Sequence, residues 1–198
     1  MMNTIKYQLS HLTSFNGRDA RQTFWYYILM LFVVQMIVSI IAALPMYFSM
    51  FGAIIEVGSQ GGAAMDEQQI QALMFASMAG QMKTQAWISF FVGVAMCLLM
   101  VAAFVRRLHD AGYSGWIAAI PVATYLFSLG YTALFVDDFI KAMGEMMTSS
   151  DPSQIMAMQG AMGWQSLISW IGIIIVIVFG VMKSTPGPNP YGDEPVRF

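Results

Sequence analysis

The sequence predicts an all-α integral membrane protein with four transmembrane helices, arranged as two hairpins in a single membrane domain of residues 1–198. Two observations predict this class. First, 58% of the residues are hydrophobic and 10% are charged, whereas soluble domains carry about 25% charged residues. Second, the charged residues leave four long uncharged stretches, and a helix needs roughly 20 apolar residues to cross a bilayer. Each stretch therefore predicts one crossing.

The four spans are placed within these uncharged stretches. They are predicted near Phe24–Phe48, Ala86–Val105, Gly115–Phe135 and Trp164–Met182. The first stretch, Gln22–Ile55, is too long and begins too late for a secretory signal, whose apolar part is about 7–15 residues. Pro45 removes a backbone amide, so we expect the first helix to kink or end near Leu44, and Pro121 is a second candidate kink.

The basic residues predict that both termini lie in the cytoplasm. Cytoplasmic loops retain Lys and Arg, and seven of the nine basic residues lie in the N-terminal segment, the turn between spans two and three, and the tail. The other two, Lys83 and Lys141, lie in the long connections after spans one and three, together with most of the acidic residues. We therefore expect a plasma-membrane protein with these two connections outside.

The stretch VRRLHDAGYSGW, residues 105–116, holds the densest group of ionisable side chains. We interpret it as the cytoplasmic turn between spans two and three. Gly112 can adopt the left-handed conformation that ends a helix, and Ser114 can cap the next helix. If the helix continues through the turn, Arg106 and Asp110 are four residues apart and can form an ion pair.

The candidate site is a cytoplasmic surface that binds an anion or a lipid headgroup. Its candidate residues are Arg18, Arg21, Arg106, Arg107, His109 and Asp110. Arginines present paired N–H donors that suit a phosphate. The alternative is that these charges only orient and anchor the chain, at about 1 kcal/mol per basic group near an anionic leaflet. Flanking charges commonly serve this second purpose.

The sequence carries no recognisable catalytic, cofactor or metal motif. Its only histidines are His11 and His109, whereas a catalytic metal takes three protein ligands. Phosphate-binding loops, dinucleotide fingerprints and nucleophile elbows are absent. We therefore predict a protein that is not an enzyme, with no cofactor and no nucleic-acid partner. A small-solute or ion transporter is the second hypothesis, and a membrane enzyme is the third.

Methionine is concentrated in the two outer connections, which hold ten of the nineteen methionines. Met74, Met78 and Met82 fall on one helical face, and thioethers suit Cu(I). No His or Cys reinforces them, so we prefer amphipathic helices that rest on the bilayer or cap the bundle, with methionine filling gaps.

The C-terminal tail, residues 183–198, contains four prolines, which prevent a regular helix. It either folds back beneath the helices, bringing Asp193 or Glu194 to the arginine turn, or stays extended in water. Asn189 and Tyr191 are further candidates for docking.

Three segments resemble domain-of-unknown-function family 805, a group of small bacterial inner-membrane proteins. The matching residues are Gly17, Arg18, Arg21, Phe24 and Trp25 in GRDARQTFW; Arg106, Arg107, Leu108, His109, Asp110, Ser114, Gly115 and Trp116 in RRLHDAGYSGW; and Gly187, Asn189, Tyr191, Gly192 and Pro195 in GPNPYGDEP. Pro190 departs from the family pattern, which more often has a basic residue there. The resemblance implies a multi-span protein of the bacterial inner membrane and supplies no activity.

All three matching segments fall on the predicted cytoplasmic face. That face is therefore the predicted functional surface, and its expected partners are membrane lipids together with a protein partner or a second copy of the chain.

Overall fold

The computed structural model describes residues 2–59, 66–148 and 152–195, with backbone alone for residues 146–148, 152–162 and 164–166. The described ranges are helical throughout, apart from turns and one isolated bridge between Asn189 and Gly192. The α-helices are α1 (Met2–Ser10), α2 (Arg21–Ser59), α3 (Glu67–Asp110), α4 (Ala119–Leu134), α5 (Val136–Thr148) and α6 (Pro152–Val181), and a 3₁₀ helix (Gly115–Ala118) precedes α4. The predicted all-α class is confirmed.

Three helical segments of the described chain are long and apolar enough to cross a membrane, namely α2, α3 and Gly115–Leu134. They contain nearly all of the first three predicted spans, and they fit a membrane protein. Helix α6 overlaps the fourth predicted span, but the apolar part whose side chains are mostly described, Leu167–Val181, is shorter. A crossing by α6 therefore stays a prediction.

The first long helix does not end at Pro45. The sequence predicted either a kink or an end near Leu44, and the end was wrong, because helix α2 continues through Pro45 to Ser59. The kink stays a prediction. A proline interrupts one backbone hydrogen bond, but an apolar chain in lipid can pair its remaining backbone groups only by staying helical. Pro121 is the third residue of α4, where the amide lies in the first turn and needs no intrahelical partner.

The predicted Met-rich outer connections are helical wherever the structure describes them. Asp66 caps α3, because its carboxylate accepts from the Gln69 amide at 2.7 Å, and Met74, Met78 and Met82 follow on that helix. Met65 lies outside the described residues. The side chains of Met146, Met147, Met156, Met158 and Met162 also lie outside them.

The chain divides into two compact units. The first comprises Met1–Ile37, Val92–Ser128 and Ser166–Phe198, and the second comprises Val38–Phe91 and Leu129–Gln165. In the second unit, Lys83 of α3 contacts Asp137 of α5 at 2.6 Å, with both side chains exposed. Every candidate site residue falls in the first unit.

The core of the first unit forms where α2 packs against α3. Phe24, Tyr27 and Leu31 of α2 meet Phe104 and Leu108 of α3. The Tyr27 hydroxyl donates to the backbone carbonyl of Leu99 at 3.0 Å. Because Ala102 and Ala103 are small and almost fully buried, they let the neighbouring helix approach closely. This packing fixes the ends of α2 and α3 that carry the candidate residues.

Candidate functional site, a buried arginine network

The end of α3 is built by local sequence. Gly112 has a φ of +82°, and the Tyr113 amide donates to the Leu108 carbonyl at 2.9 Å while the Gly112 amide donates to His109 at 3.1 Å. This is a Schellman motif, which satisfies the last carbonyls of a helix. Ser114 caps the following 3₁₀ helix. The conformations predicted for Gly112 and Ser114 are confirmed.

Five buried charged residues meet at this end of α3, and we name them the arginine network. They are Arg18, Asp19, Arg106, Arg107 and Asp110. Arg18 Nη2 lies 3.0 Å from Asp110 Oδ1, and Arg107 pairs with the other oxygen of the same carboxylate. Arg106 Nε lies 3.1 Å from Asp19 Oδ2.

The predicted pair between Arg106 and Asp110 is therefore replaced by other pairs. Both oxygens of Asp110 are occupied by Arg18 and Arg107. Arg106 instead pairs with Asp19 in the segment before α2. A spacing of four residues permits an ion pair within one helix. The fold instead brings Asp19 next to Arg106 and Arg18 next to Asp110, and these pairs form in its place.

The network holds three guanidinium groups against two carboxylates, and each residue is at most 4% exposed. Buried charges are tolerated only when they are paired and hydrogen-bonded. The surplus positive charge is met by backbone carbonyls. Arg107 donates to the carbonyls of Gly180 and Met182, at the end of α6 where the helix dipole is negative.

The C-terminal tail supplies further acceptors for the network. Arg18 donates to the carbonyl of Thr185 at 2.6 Å and to that of Gly187 at 2.7 Å. The Thr185 amide donates in return to the carbonyl of Asp110 at 2.9 Å. The tail therefore folds back onto the end of α3 through its backbone.

Two of the four tail candidates contact the turn directly. Asn189 Nδ2 donates to the His109 carbonyl at 2.9 Å, and the Tyr191 ring stacks on the His109 ring with centroids 3.9 Å apart. Asp193 and Glu194 are exposed, and neither forms an ion pair within the described part of the chain. The guanidinium groups already have buried partners, so neither carboxylate pairs with them, although Glu194 lines a cavity together with Arg18.

Helix α1 is attached to the network by polar side chains. Arg106 donates to the carbonyls of His11 and Ser14 and to the side-chain oxygen of Gln8. Gln8 Nε2 in turn donates to Asp19 Oδ2 at 2.8 Å. One guanidinium group thus holds α1, the loop after it and the segment before α2.

The six predicted anion-site residues are therefore not equivalent. Arg18, Arg106, Arg107 and Asp110 are buried together, whereas Arg21 is exposed at the first residue of α2. His109 is partly buried, with Nδ1 3.3 Å from the Gly17 carbonyl oxygen. Among the residues that the structure describes, no group of three or more His, Cys, Asp or Glu could hold a metal ion.

A cavity of about 200 Å³ lies beside the network. It is lined by Tyr7, Arg18, Asp19, Ala20, Thr23, Glu194 and Pro195. Asp19 Oδ1 and Thr23 Oγ1 are buried and have no hydrogen-bond partner within residues 2–59, 66–148 and 152–195. Burial raises the pKa of Asp19, and the Arg106 charge and the Gln8 hydrogen bond act in the opposite direction.

Gln8, Asp19 and Thr23 were not among the site residues predicted from the sequence. Asp19 lies between Arg18 and Arg21 in GRDARQTFW, and a lone acid among arginines was the available signal. Nothing in the local pattern pointed to Gln8 or Thr23.

Comparison with known proteins gives one match. A family model described as "Protein of unknown function (DUF805)" matches residues 12–193. No curated protein and no solved structure shows a significant match to the chain. The matched range includes the whole arginine network and the docked part of the tail as far as residue 193.

Proposed function

The chain belongs to the DUF805 family of unknown function, and from that premise we propose a multi-span protein of the bacterial inner membrane that is not an enzyme. Its four spans leave both termini in the cytoplasm, where the basic face contacts anionic lipid headgroups. A protein partner or a second copy of the chain is the alternative occupant of that face.

One observation carries the proposed threading. The arginine network joins the segment before α2, the end of α3 and the tail after α6, because Arg18 contacts both Asp110 and Thr185. Segments in direct contact lie on the same side of a bilayer, so an even number of crossings separates each from the next. This supports two crossings by α2 and α3 and two more by α4 and α6. The basic residues of the same segments favour the cytoplasmic side.

Because the arginine network is buried, other basic residues must contact the lipid in this proposal. The guanidinium groups of Arg18, Arg106 and Arg107 donate to internal acceptors, so they hold the face together. Among the described residues of the first unit, the basic side chains that remain exposed are those of Lys6, Arg21 and Lys183. Each contributes about 1 kcal/mol of attraction near an anionic leaflet.

The test compares two variants that lose equal charge. Arg21→Gln with Lys183→Gln removes two exposed basic groups from the proposed lipid-contacting face. Lys83→Gln with Lys141→Gln removes two exposed basic groups from the second unit. The full chain is reconstituted in nanodiscs of phosphatidylglycerol and phosphatidylcholine, and the lipids retained on extraction are quantified by native mass spectrometry.

We expect the first variant to retain less phosphatidylglycerol than wild type, and the second to retain the same amount. Equal retention by all three folded proteins removes the lipid part of the proposal. Equal losses in both variants would mean that total charge, rather than this face, attracts the lipid.

A further inference from the structure

The cavity beside the arginine network contains acceptors that the network leaves unused. Asp19 is 1% exposed. Its Oδ2 atom accepts from Gln8 and Arg106, but its Oδ1 atom has no partner in the part of the chain that the structure describes. Thr23, which is 3% exposed and also lines the cavity, has a hydroxyl with no hydrogen-bond partner among the described residues. Leaving such a buried group unsatisfied costs about 1–3 kcal/mol, so both groups favour a bound partner, and the carboxylate oxygen of Asp19 requires one that donates a hydrogen bond.

The charge of the lining favours a cationic donor. An ionised carboxylate only accepts hydrogen bonds, and a second acidic residue, Glu194, also lines the cavity. Among the described residues of the lining, Arg18 is the one cationic side chain, and it donates to Asp110 and to tail carbonyls. The acceptors that remain are therefore anionic or neutral oxygens.

The cavity is too large for a single water molecule, and it has too few metal-binding side chains for a metal ion. A water molecule takes about 30 Å³ of liquid volume, and the cavity measures about 200 Å³. Hard divalent cations prefer about six to eight oxygen ligands, and the described residues form no cluster of three or more metal-binding side chains. A small organic cation fits both limits.

We propose that this cavity binds the primary ammonium group of a small ligand. Such a group has three N–H donors, and Asp19 Oδ1, Thr23 Oγ1 and the Glu194 carboxylate are its three acceptors. The ammonium group belongs either to an ethanolamine lipid headgroup or to a free small amine. This inference goes beyond the proposed contact with anionic lipid, because the ligand charge is opposite and Arg21 and Lys183 take no part.

Ethanolamine is the probe for the free amine, and ethanol is its uncharged counterpart. The full chain in detergent micelles is titrated with each compound by isothermal calorimetry. We expect saturable binding of ethanolamine and none of ethanol. Thr23→Val should weaken ethanolamine binding about tenfold, because it removes one hydrogen bond to a charged group.

Thr4→Val is the matched control. Thr4 is fully buried and its hydroxyl also lacks a partner among the described residues, but it is not part of the cavity lining. Both variants delete a buried, unsatisfied hydroxyl, so neither should lower thermal stability. Only the change at position 23 should alter ethanolamine binding. The proposal is overturned if wild type and Thr23→Val bind ethanolamine equally well. It is also overturned if wild type binds neither ethanolamine nor phosphatidylethanolamine.

A second experiment, with the protein in nanodiscs, identifies whether the ammonium group comes from a lipid or from a free amine. Nanodiscs hold a constant fraction of phosphatidylglycerol and either phosphatidylethanolamine or phosphatidylcholine, whose quaternary ammonium has no N–H donor. Preferential retention of phosphatidylethanolamine that Thr23→Val abolishes assigns the site to the lipid headgroup. Ethanolamine binding without such a preference assigns it to a free amine, and both results support the proposal. Because phosphatidylglycerol is constant, failure here leaves the contact of Arg21 and Lys183 with anionic lipid untouched.

Discussion

Arg18 Nη2 lies 3.0 Å from Asp110 Oδ1, although 92 positions of the chain separate the two residues. Both side chains are fully buried. Arg18 also donates to the Thr185 carbonyl, so a single guanidinium group connects the segment before α2, the end of α3 and the tail. The stability of this part of the protein should therefore depend on the Asp110 carboxylate.

Asp110→Asn should be strongly destabilising. It removes one of two carboxylates that neutralise three buried arginines, and breaking a buried ion pair costs about 3–5 kcal/mol. Thermal unfolding in detergent measures the loss. Asp137→Asn is the control, because its partner Lys83 is exposed and exposed pairs contribute about 0–1 kcal/mol. Equal losses in the two variants would show that the buried pairs have no special role.

Arg106→Lys should release helix α1 while leaving α3 intact. Arg106 donates to Gln8, to two carbonyls of the following loop and to Asp19, whereas a lysine ammonium has three donors at a single point and cannot reproduce this fork. Hydrogen exchange should accelerate in residues 2–10. Arg21→Lys, at an exposed position, should leave the same amides protected. Unchanged exchange in Arg106→Lys would mean that α1 is held by other contacts.

Gly112→Ala should destabilise the turn between α3 and the 3₁₀ helix. The left-handed conformation costs a residue with a Cβ roughly 1–2 kcal/mol, and the added Cβ would lie 3.2 Å from Thr185 Cγ2. Gly130→Ala is the matched control, since a Cβ there meets no described atom within 4 Å and Gly130 lies inside α4. The first variant should lower the midpoint of thermal unfolding, and the second should keep or raise it. A stable Gly112→Ala protein would contradict the conformational argument.

Local chemistry explains which parts of this structure the sequence could predict. The uncharged stretches predicted the three apolar helices, and Gly112 predicted the end of α3, because both signals act within a few residues. The ion-pair partner of Arg106 could not be predicted in this way, because it depends on the contact between the end of α3 and the segment before α2. Its spacing from Asp110 suggested a helical pair, but Arg18 and Arg107 occupy that carboxylate.

The buried face of helix α1 also could not be predicted from local sequence. Its buried residues are polar, Thr4 and Gln8, whereas Met2 and Leu9 are exposed. The hydrophobic pattern alone predicts that the face with Met2 and Leu9 is the buried one. The polar face is buried because the network supplies hydrogen-bond partners for Gln8, and no property of residues 2–10 alone indicates those partners.

The proposed threading predicts which positions an impermeant thiol reagent reaches in intact cells. Cys97 is the only cysteine, so Cys97→Ala gives a background for single cysteines. Lys141→Cys should be labelled from outside, because the wild-type side chain is 77% exposed in the proposed outer connection. Lys6→Cys and Lys183→Cys, also at exposed positions, should be labelled only after permeabilisation.

The two inner positions test different steps of the threading. Lys6 precedes α2 and Lys183 follows α6, and the arginine network joins both segments through Arg18 and its contact with Thr185. They must therefore be labelled under the same condition, whichever side that is. If Lys183→Cys alone were labelled in intact cells, α6 would not return across the membrane, and the contacts of Arg18 with the tail could not form. If both were labelled in intact cells and Lys141→Cys were not, the four spans would stand with their orientation reversed.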